Sequence, residues 1–162
     1  MLARASGWLS VAVALGALAG LRQGEVRALE VRDVDLKHGI ITVRWVLSEN
    51  QPVAPKSGDE RVVPIGGPLA EVLAHALRGK LPAARVVLNK NGLTPSRQAV
   101  LSALKAVQRR YSLPARSFHS LRHYFLTALV LGGANLEAVR ARGPLQAADD
   151  AALPARLGCR PS

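Results

Sequence analysis

The spacing of hydrophobic positions in the first part of the chain predicts two helices followed by a strand. Residues 8–20 are apolar on every side and stop at a glycine, which is typical of a buried helix. Residues 23–31 are amphipathic and predict a second, short helix. The β-branched and partly alternating residues 40–46 predict a strand, whereas the polar residues 48–54 predict a loop.

A partner strand and a series of helices are predicted for the rest of the chain. Residues 61–65 are again β-branched, and Pro64 within them is best placed in an edge strand because proline cannot donate a ladder hydrogen bond. The remaining predicted elements are helices at residues 69–77, 96–111 and 118–131, the beginning of a last helix at 136–140, and a short extended piece at 85–88. Together they predict an α+β fold that is mainly helical and has a small antiparallel sheet.

Charge and cysteine content narrow the class of protein. The 162 residues favour one domain with its own core, and 22 Lys and Arg against 11 Asp and Glu give a formal net charge of +11. So strong a positive field favours a polyanionic partner, with nucleic acid first and an anionic membrane surface second. The single cysteine, Cys159, excludes an intramolecular disulfide and fits a reducing compartment, so we expect a cytoplasmic protein.

The beginning of the chain also has the shape of a secretory signal. Arg4 precedes the apolar run, and Ala17-Leu18-Ala19 has the small-residue pattern of a signal-peptidase site. The run is shorter than the stretch of about 20 apolar residues that a transmembrane helix needs. Because the residues after the run look like part of a folded unit, we predict a core helix and no membrane partner. A secreted basic protein with a cleaved leader is the alternative.

Three short motifs carry residues that suit phosphate chemistry. Arg22 lies at the turn into the second helix, where a guanidinium and nearby backbone N–H groups can hold a phosphate. Lys56 is predicted at the tip of the hairpin, from which its ammonium group reaches outward. His119 and Arg122 are three residues apart and share one helix face, and His123 follows them. Taken singly, each motif has a common structural interpretation, such as a solvated arginine or a lysine that increases solubility.

In this order, the motifs resemble the tyrosine recombinase (phage integrase) family. The matching segments are Ala-Gly-Leu-Arg-Gln-Gly-Glu-Val at residues 19–26, Asp-Val-Asp-Leu at 33–36, the hairpin lysine followed by Arg-Val-Val-Pro at 61–64, and His-Ser-Leu-Arg-His at 119–123. The resemblance covers about residues 8–140 and implies a catalytic-domain fold. We therefore expect residues 1–140 to be a partial catalytic domain, without the N-terminal DNA-binding domain usual in the family, and residues 141–162 to be an atypical tail.

The resemblance implies a function and a role for each matching residue. Family members recombine DNA at specific sites, as mobile elements require, by attacking a phosphodiester with a tyrosine hydroxyl to form a 3′-phosphotyrosine and free a 5′-hydroxyl. Arg22 and Arg122 would hold the non-bridging phosphate oxygens. Lys56 would protonate the leaving oxygen, and His119 would assist proton transfer from the nucleophile. His123 would join them in contacting DNA.

The resemblance also implies partners and cofactors. Duplex DNA and other recombinase protomers are the expected partners. Because the phosphotyrosine conserves the energy of the phosphodiester bond, neither a metal nor a nucleotide or other small-molecule cofactor is expected.

The C-terminal part of the chain departs from the family pattern. The Leu-Gly-His segment and the tyrosine nucleophile expected after Arg140 are missing, and the two tyrosines, Tyr111 and Tyr124, lie elsewhere in the motif order. Restoring two bases just after the Arg140 codon lets the tail read Glu-Leu-Gly-Gly-His-Ser-Arg-Leu-Gln-Thr-Thr-x-Arg-Tyr-Leu-His. The segment Asp149-Asp150 constrains this best, since the shifted frame allows only Thr or Met at each step. A frameshifted gene therefore explains the tail.

Without its nucleophile, the chain is expected to be a catalytically inactive fragment of a recombinase. The alternative is a non-enzymatic basic DNA-binding remnant or regulator that uses the same surface. A tyrosine supplied in trans by a partner protomer would separate the two interpretations, so the sequence leaves open whether the chain is an enzyme.

Overall fold

Five α-helices and five short β-strands form the described part of this computed structural model, which is residue 5 and residues 7–54 and 60–133. In chain order the elements are α1 (Trp8–Leu18), α2 (Gln23–Ala28), a 3-10 turn (Val31–Asp33), β1 (Val34–Asp35), β2 (Ile40–Val43), β3 (Val46–Ser48), β4 (Gln51–Val53), β5 (Arg61–Pro64), α3 (Gly67–Leu77), α4 (Arg97–Arg110) and α5 (His119–Leu131). The predicted α+β fold, mainly helical with a small antiparallel sheet, is confirmed.

Helix α1 is the centre of the core. Seven of its 11 residues are buried, and α5 packs closely along it because Gly16 has no side chain. A Cβ at Gly16 would lie 3.2 Å from both Phe118 Cε1 and Leu121 Cβ. The helix ends at Leu18, before Gly20, which adopts a left-handed φ of 63°. The predicted core helix is thus confirmed, and it ends two residues earlier than predicted.

Three antiparallel strands in the order β1-β2-β5 make the main sheet. Ile41 and Val43 of β2 and Val63 of β5 are buried in the core, and their neighbours along each strand are less buried, as the alternation of a half-buried sheet requires. Pro64 pairs with Ile40 in the edge strand β5, where its missing N–H costs no ladder hydrogen bond. The sequence prediction for Pro64 is therefore confirmed.

The chain between β2 and β5 differs from the prediction of one strand and one loop. The predicted strand 40–46 is two strands, because Arg44 leaves the ladder and its guanidinium bonds to the buried carboxylate of Asp33. The predicted loop 48–54 contains β4, which pairs with β3 around a turn whose residues 49–50 both have positive φ. Because β4 is exposed along its whole length, it carries no hydrophobic alternation that would reveal it in the sequence.

Other helix boundaries differ from the prediction by a few residues. Helix α2 stops three residues early, and α3 starts two residues early. Ser96 caps α4, where its Oγ accepts a hydrogen bond from the N–H of Ala99 (3.1 Å). The predicted extended piece at 85–88 forms a single bridge between Arg85 and Glu30.

None of the helices in the described ranges is long and apolar enough to cross a membrane.

Three predicted features lie outside the described residues. These are the Lys56 turn, the helix predicted to begin at 136–140 and the tail at 141–162. Strands β2 and β5 pair as predicted, and the chain between them contains a further hairpin, β3–β4, which turns at residues 49–50.

The β3–β4 hairpin lies directly against α2. The contact is close because position 24 is a glycine: a Cβ at Gly24 would lie 2.7 Å from Val46 Cγ1 and 3.0 Å from the carbonyl oxygen of Leu47. This packing places the hairpin beside the start of α2, and therefore beside Arg22.

Candidate phosphate-binding site

The start of α2 is organised around a buried carboxylate, Glu25. The backbone N–H of Arg22 donates to Glu25 Oε2 (2.7 Å), which closes the capping position of the helix. The Arg22 Nη1 group also donates to Glu25 Oε1 (3.3 Å), while 57% of the Arg22 side chain stays exposed. Glu25 therefore holds Arg22 from beneath and leaves its guanidinium open to solvent.

Arg61 of β5 completes the other side of this carboxylate. Its Nη1 donates to Glu25 Oε1 (2.9 Å) and its Nη2 to Glu25 Oε2 (2.6 Å), a bidentate pair that joins the sheet to α2. Burial alone would raise the pKa of Glu25, but the bonds and positive charge of Arg61, followed by Arg22, outweigh it and lower the pKa. Glu25 therefore stays ionised.

Arg122 of α5 joins the same group of charges. Its Nη1 donates to the carbonyl oxygen of Gly20, two residues before Arg22. The pKa of Arg122 is lowered, first by burial and then by Arg22; Glu25 opposes this effect and Arg61 adds to it. Three guanidinium groups thus lie around one carboxylate, which forms ion pairs with two of them, Arg22 and Arg61. We call Arg22, Glu25, Arg61 and Arg122 the Arg22 cluster; its excess positive charge favours an anion.

His119 and His123 lie on the first turns of α5. Their rings meet edge to face, with centroids 4.5 Å apart and planes at 87°, as residues four apart on a helix can. Both side chains are exposed. His119 faces the groove described next, whereas His123 is not among the residues that line it.

A groove of about 830 Å³ opens beside the Arg22 cluster. It is bounded by the start of α2, the β3–β4 hairpin, the start of α4 and the start of α5, and its lining includes Arg22, Gln23, Arg27, Arg97 and His119. Its walls carry four cationic or imidazole side chains, so it suits a polyanion rather than an apolar ligand.

The structure thus brings three of the predicted site residues into one region. Arg22 and His119 line the groove, and Arg122 lies behind Arg22. His123 stands next to His119 but outside the groove lining, and Lys56 lies outside the described residues. Arg22 and Arg122 therefore lie on the same side of the fold.

Two residues of the Arg22 cluster have no role in the sequence prediction. Glu25 could have been found from the capping-box spacing, since a carboxylate three residues after the helix cap bonds back to the cap N–H. Arg61 is the one basic residue of an otherwise apolar strand, but nothing local says that it reaches a carboxylate 36 positions away.

Among the residues that the structure describes, no three His, Cys, Asp or Glu side chains come together in a way that would hold a metal ion. The donors that gather here are guanidinium and imidazole groups, which bind anions.

The fold has clear counterparts among solved structures. The Tn1549 transposon integrase, solved with circular intermediate DNA, superposes with a TM-score of 0.71 at 19% identity, covering 88% of this chain and 54% of that one. The XerA recombinase gives a TM-score of 0.67 at 20% identity, covering 82% and 47%. The chain therefore has the fold of a tyrosine recombinase catalytic domain.

Sequence comparisons identify the family to which the chain belongs. The model of the phage integrase family matches residues 3–143, so the chain belongs to the phage integrase family. It is 31% identical over 132 residues to the tyrosine recombinase XerC of Chlorobaculum parvum, covering 74% of this chain and 36% of the relative. It is 32% identical over 130 residues to XerD of Mycobacterium tuberculosis, covering 75% and 39%. The chain thus spans little more than a third of the length of these relatives.

Proposed function

We propose that this chain binds duplex DNA through the groove beside the Arg22 cluster, as the catalytic-domain part of a site-specific tyrosine recombinase. The observation that supports this most is that Arg22 and His119 line one groove while Arg122 lies behind Arg22, although these residues are up to 100 positions apart in the sequence. Related folds solved with DNA, such as the lambda integrase bound to DNA, support the same partner. Other recombinase protomers are its proposed protein partners, and the cytoplasm is its proposed location.

The proposed chemistry assigns each residue a step. Arg22 and Arg122 would hold the non-bridging oxygens of one phosphate and stabilise the charge of the pentacoordinate state. In intact relatives a tyrosine oxygen bonds to phosphorus as the bond to the 5′-oxygen breaks. His119 would take the tyrosine proton, and Lys56 would supply a proton to the leaving oxygen. His123 would contact the DNA beside them.

Glu25 and Arg61 have a positioning role in this proposal. Neither needs to touch DNA, since Glu25 is buried and Arg61 bonds to it with both terminal nitrogens. Their ion pair would fix the backbone and guanidinium of Arg22 before DNA arrives, which avoids ordering the side chain during binding.

We further propose that the chain does not cleave DNA by itself. Tyr124 is two residues after Arg122 in α5, so its side chain points about 200° away around the helix axis. Tyr111 is at the end of α4, before the chain turns towards α5. Residues 1–140 would form the partial catalytic domain and residues 141–162 the product of a shifted reading frame, in a recombinase gene of a mobile element.

A binding measurement tests the first part of the proposal. The purified chain should bind duplex DNA weakly, with little sequence preference and with affinity that falls steeply as salt rises. Arg22→Gln combined with Arg122→Gln should weaken binding, whereas Arg109→Gln, at the far end of α4, should not. Tight, salt-insensitive binding to one sequence would refute the proposed phosphate-based interaction, and equal binding by both variants would refute the site.

Covalent capture tests the second part and separates it from the non-enzymatic alternative. The unaltered chain should form no covalent complex with a nicked suicide substrate. A full-length chain with the restored frame and an N-terminal DNA-binding domain should form one, and replacing the restored tyrosine with phenylalanine should abolish it. Failure of the restored chain would favour a DNA-binding remnant or regulator. An adduct mapped to Tyr111 or Tyr124 of the unaltered chain would overturn the assignment as inactive.

A further inference from the structure

The described arginines divide into two groups by what neutralises them. Those with partly or fully buried side chains generally pair with a carboxylate, as Arg44 does with Asp33 and Arg61 does with Glu25. Within the described ranges, only Arg27 and Arg122 are buried or half-buried and form no ion pair. A buried charge without a counter-charge is costly, so these two positions stand out together.

Arg27 is the less expected of the two. It lies on α2, one and a half turns beyond Arg22, and only 3% of the residue is exposed. Its Nε donates to the carbonyl oxygen of Pro95 (2.8 Å), and its Nη2 donates to Oδ1 of Asn50. Both acceptors are neutral, so these bonds orient the guanidinium without cancelling its charge.

A second guanidinium reinforces the positive charge at this position. Arg97, the exposed first residue of α4, is held against α2 by its own carbonyl oxygen, which accepts a hydrogen bond from Gln23 Nε2 (2.8 Å). The pKa of Arg27 is lowered first by burial and then by the positive charge of Arg97, which lines the same groove. Both arginines line the groove. Glu49 also lines it, but in the described part of the chain its carboxylate forms no ion pair with Arg27 or Arg97.

We infer that Arg97, supported by the buried positive charge of Arg27 behind it, binds a second backbone phosphate of the DNA, separate from the phosphate at Arg22 and Arg122. This rests on the proposed function, because it assigns a further contact within the same groove. Arg27 and Arg122 share two features: each is a buried or half-buried guanidinium that forms no ion pair, and each lies beside an exposed arginine. The Arg27–Arg97 pair, unlike Arg22 with Glu25, has no carboxylate partner among the described residues, and a phosphate would supply that negative charge.

The separation of the two pairs suits contacts with different phosphates. Arg22 and Arg27 are five residues apart, which is about 7.5 Å along a helix axis. The phosphates of one strand rise about 3.4 Å per nucleotide. Arg22 and Arg27 are therefore far enough apart to contact different phosphates of the DNA backbone.

Salt-dependent binding of a duplex oligonucleotide to the full chain tests this inference. Arg97 is exposed and makes no side-chain contact in the described structure that folding needs, so Arg97→Gln should fold normally. Its plot of log affinity against log salt should be shallower by about 0.9 than that of the unaltered chain, because one phosphate contact is lost. Arg109→Gln, which removes the same charge at the other end of α4, should leave the slope unchanged. Arg27→Gln, checked for folding by thermal unfolding, should act in the same direction as Arg97→Gln.

Combining Arg97→Gln with Arg22→Gln separates two phosphates from one. If each arginine contacts its own phosphate, the fold-losses in affinity multiply; if they share one, the double variant loses less than the product. Two results would overturn the second phosphate site and leave the proposed function standing. One is an equal salt slope for Arg97→Gln and Arg109→Gln. The other is a loss of affinity in the double variant that is smaller than the product of the two single losses. Absence of DNA binding by the unaltered chain would overturn both.

Discussion

Gly20 is the position where one methyl group should do most damage to this fold. It lies between α1 and Arg22, its φ is 63°, and its carbonyl oxygen accepts the hydrogen bond from Arg122. A Cβ there would lie 2.9 Å from Phe125 Cε1 and closer still to Cδ1 of the same ring. Gly20→Ala therefore adds both backbone strain and a steric clash to one buried junction of α1 with α5.

The structure allows the two effects to be estimated separately. A left-handed backbone costs a residue with a side chain about 1–2 kcal/mol. Forcing an extra methyl group into a packed core costs about 1–3 kcal/mol. Gly20→Ala should thus lower the free energy of unfolding by about 2–5 kcal/mol. Gly79→Ala is the matched control, because Gly79 has a φ of 72° but no atom within 4 Å of the point that a Cβ would occupy, so it should cost only the strain.

The free energy of unfolding of both variants can be measured by urea unfolding followed by circular dichroism. The slope of this free energy against urea concentration should stay constant. Phe125→Ala combined with Gly20→Ala should cost less than the sum of the two single changes, since removing the ring removes the clash. If Gly20→Ala were no more destabilising than Gly79→Ala, the close packing of α1 against α5 at Phe125 would be wrong.

Two further changes test other parts of the fold. Glu25→Gln should cost about 3–5 kcal/mol at neutral pH, because it leaves Arg61 buried without its counter-charge. The folded-state pKa of Glu25 is below its ordinary value of 4.5, so the stability that its charge provides is complete above pH 4.5 and is lost as the pH falls through the folded-state pKa. The difference in free energy of unfolding between the unaltered chain and Glu25→Gln should therefore become smaller in acid. A difference that does not change with pH would contradict this. Leu73→Ala, at a fully buried position of α3, should cost about 2–5 kcal/mol in thermal or urea unfolding. Leu81→Ala, at a position 76% exposed, should change stability by less than about 0.5 kcal/mol, and equal effects would disprove the assignment of Leu73 to the core.

The helices and the main sheet could be predicted because each buries a recognisable apolar face. The run that becomes α1 is apolar on all sides, and the alternation around Ile41 and Val43 marks β2. The exposed strand β4 buries no side chain, so its sequence shows no hydrophobic pattern that would predict a strand. Its pairing with β3 depends instead on the turn at residues 49–50.

The candidate site divides in the same way. Arg22, His119 and Arg122 stand in short motifs and could be named from the sequence, and the structure brings them together. The residues that hold or extend the site could not be named. Arg61 reaches Glu25 only through the pairing of β5 with β2, which is set by the whole sheet rather than by any local spacing.

The width of the groove depends on a residue that carries no charge. Gly24 has an ordinary helical backbone, so another amino acid at this position would cause no backbone strain. Its side chain would instead displace the β3–β4 hairpin by contact with Val46 and Leu47. A series from glycine to alanine to larger side chains at this position would move one wall of the groove outward in steps. One small residue therefore sets how far the hairpin lies from α2, while Arg22, Arg97 and His119 hold their places in the other walls of the groove.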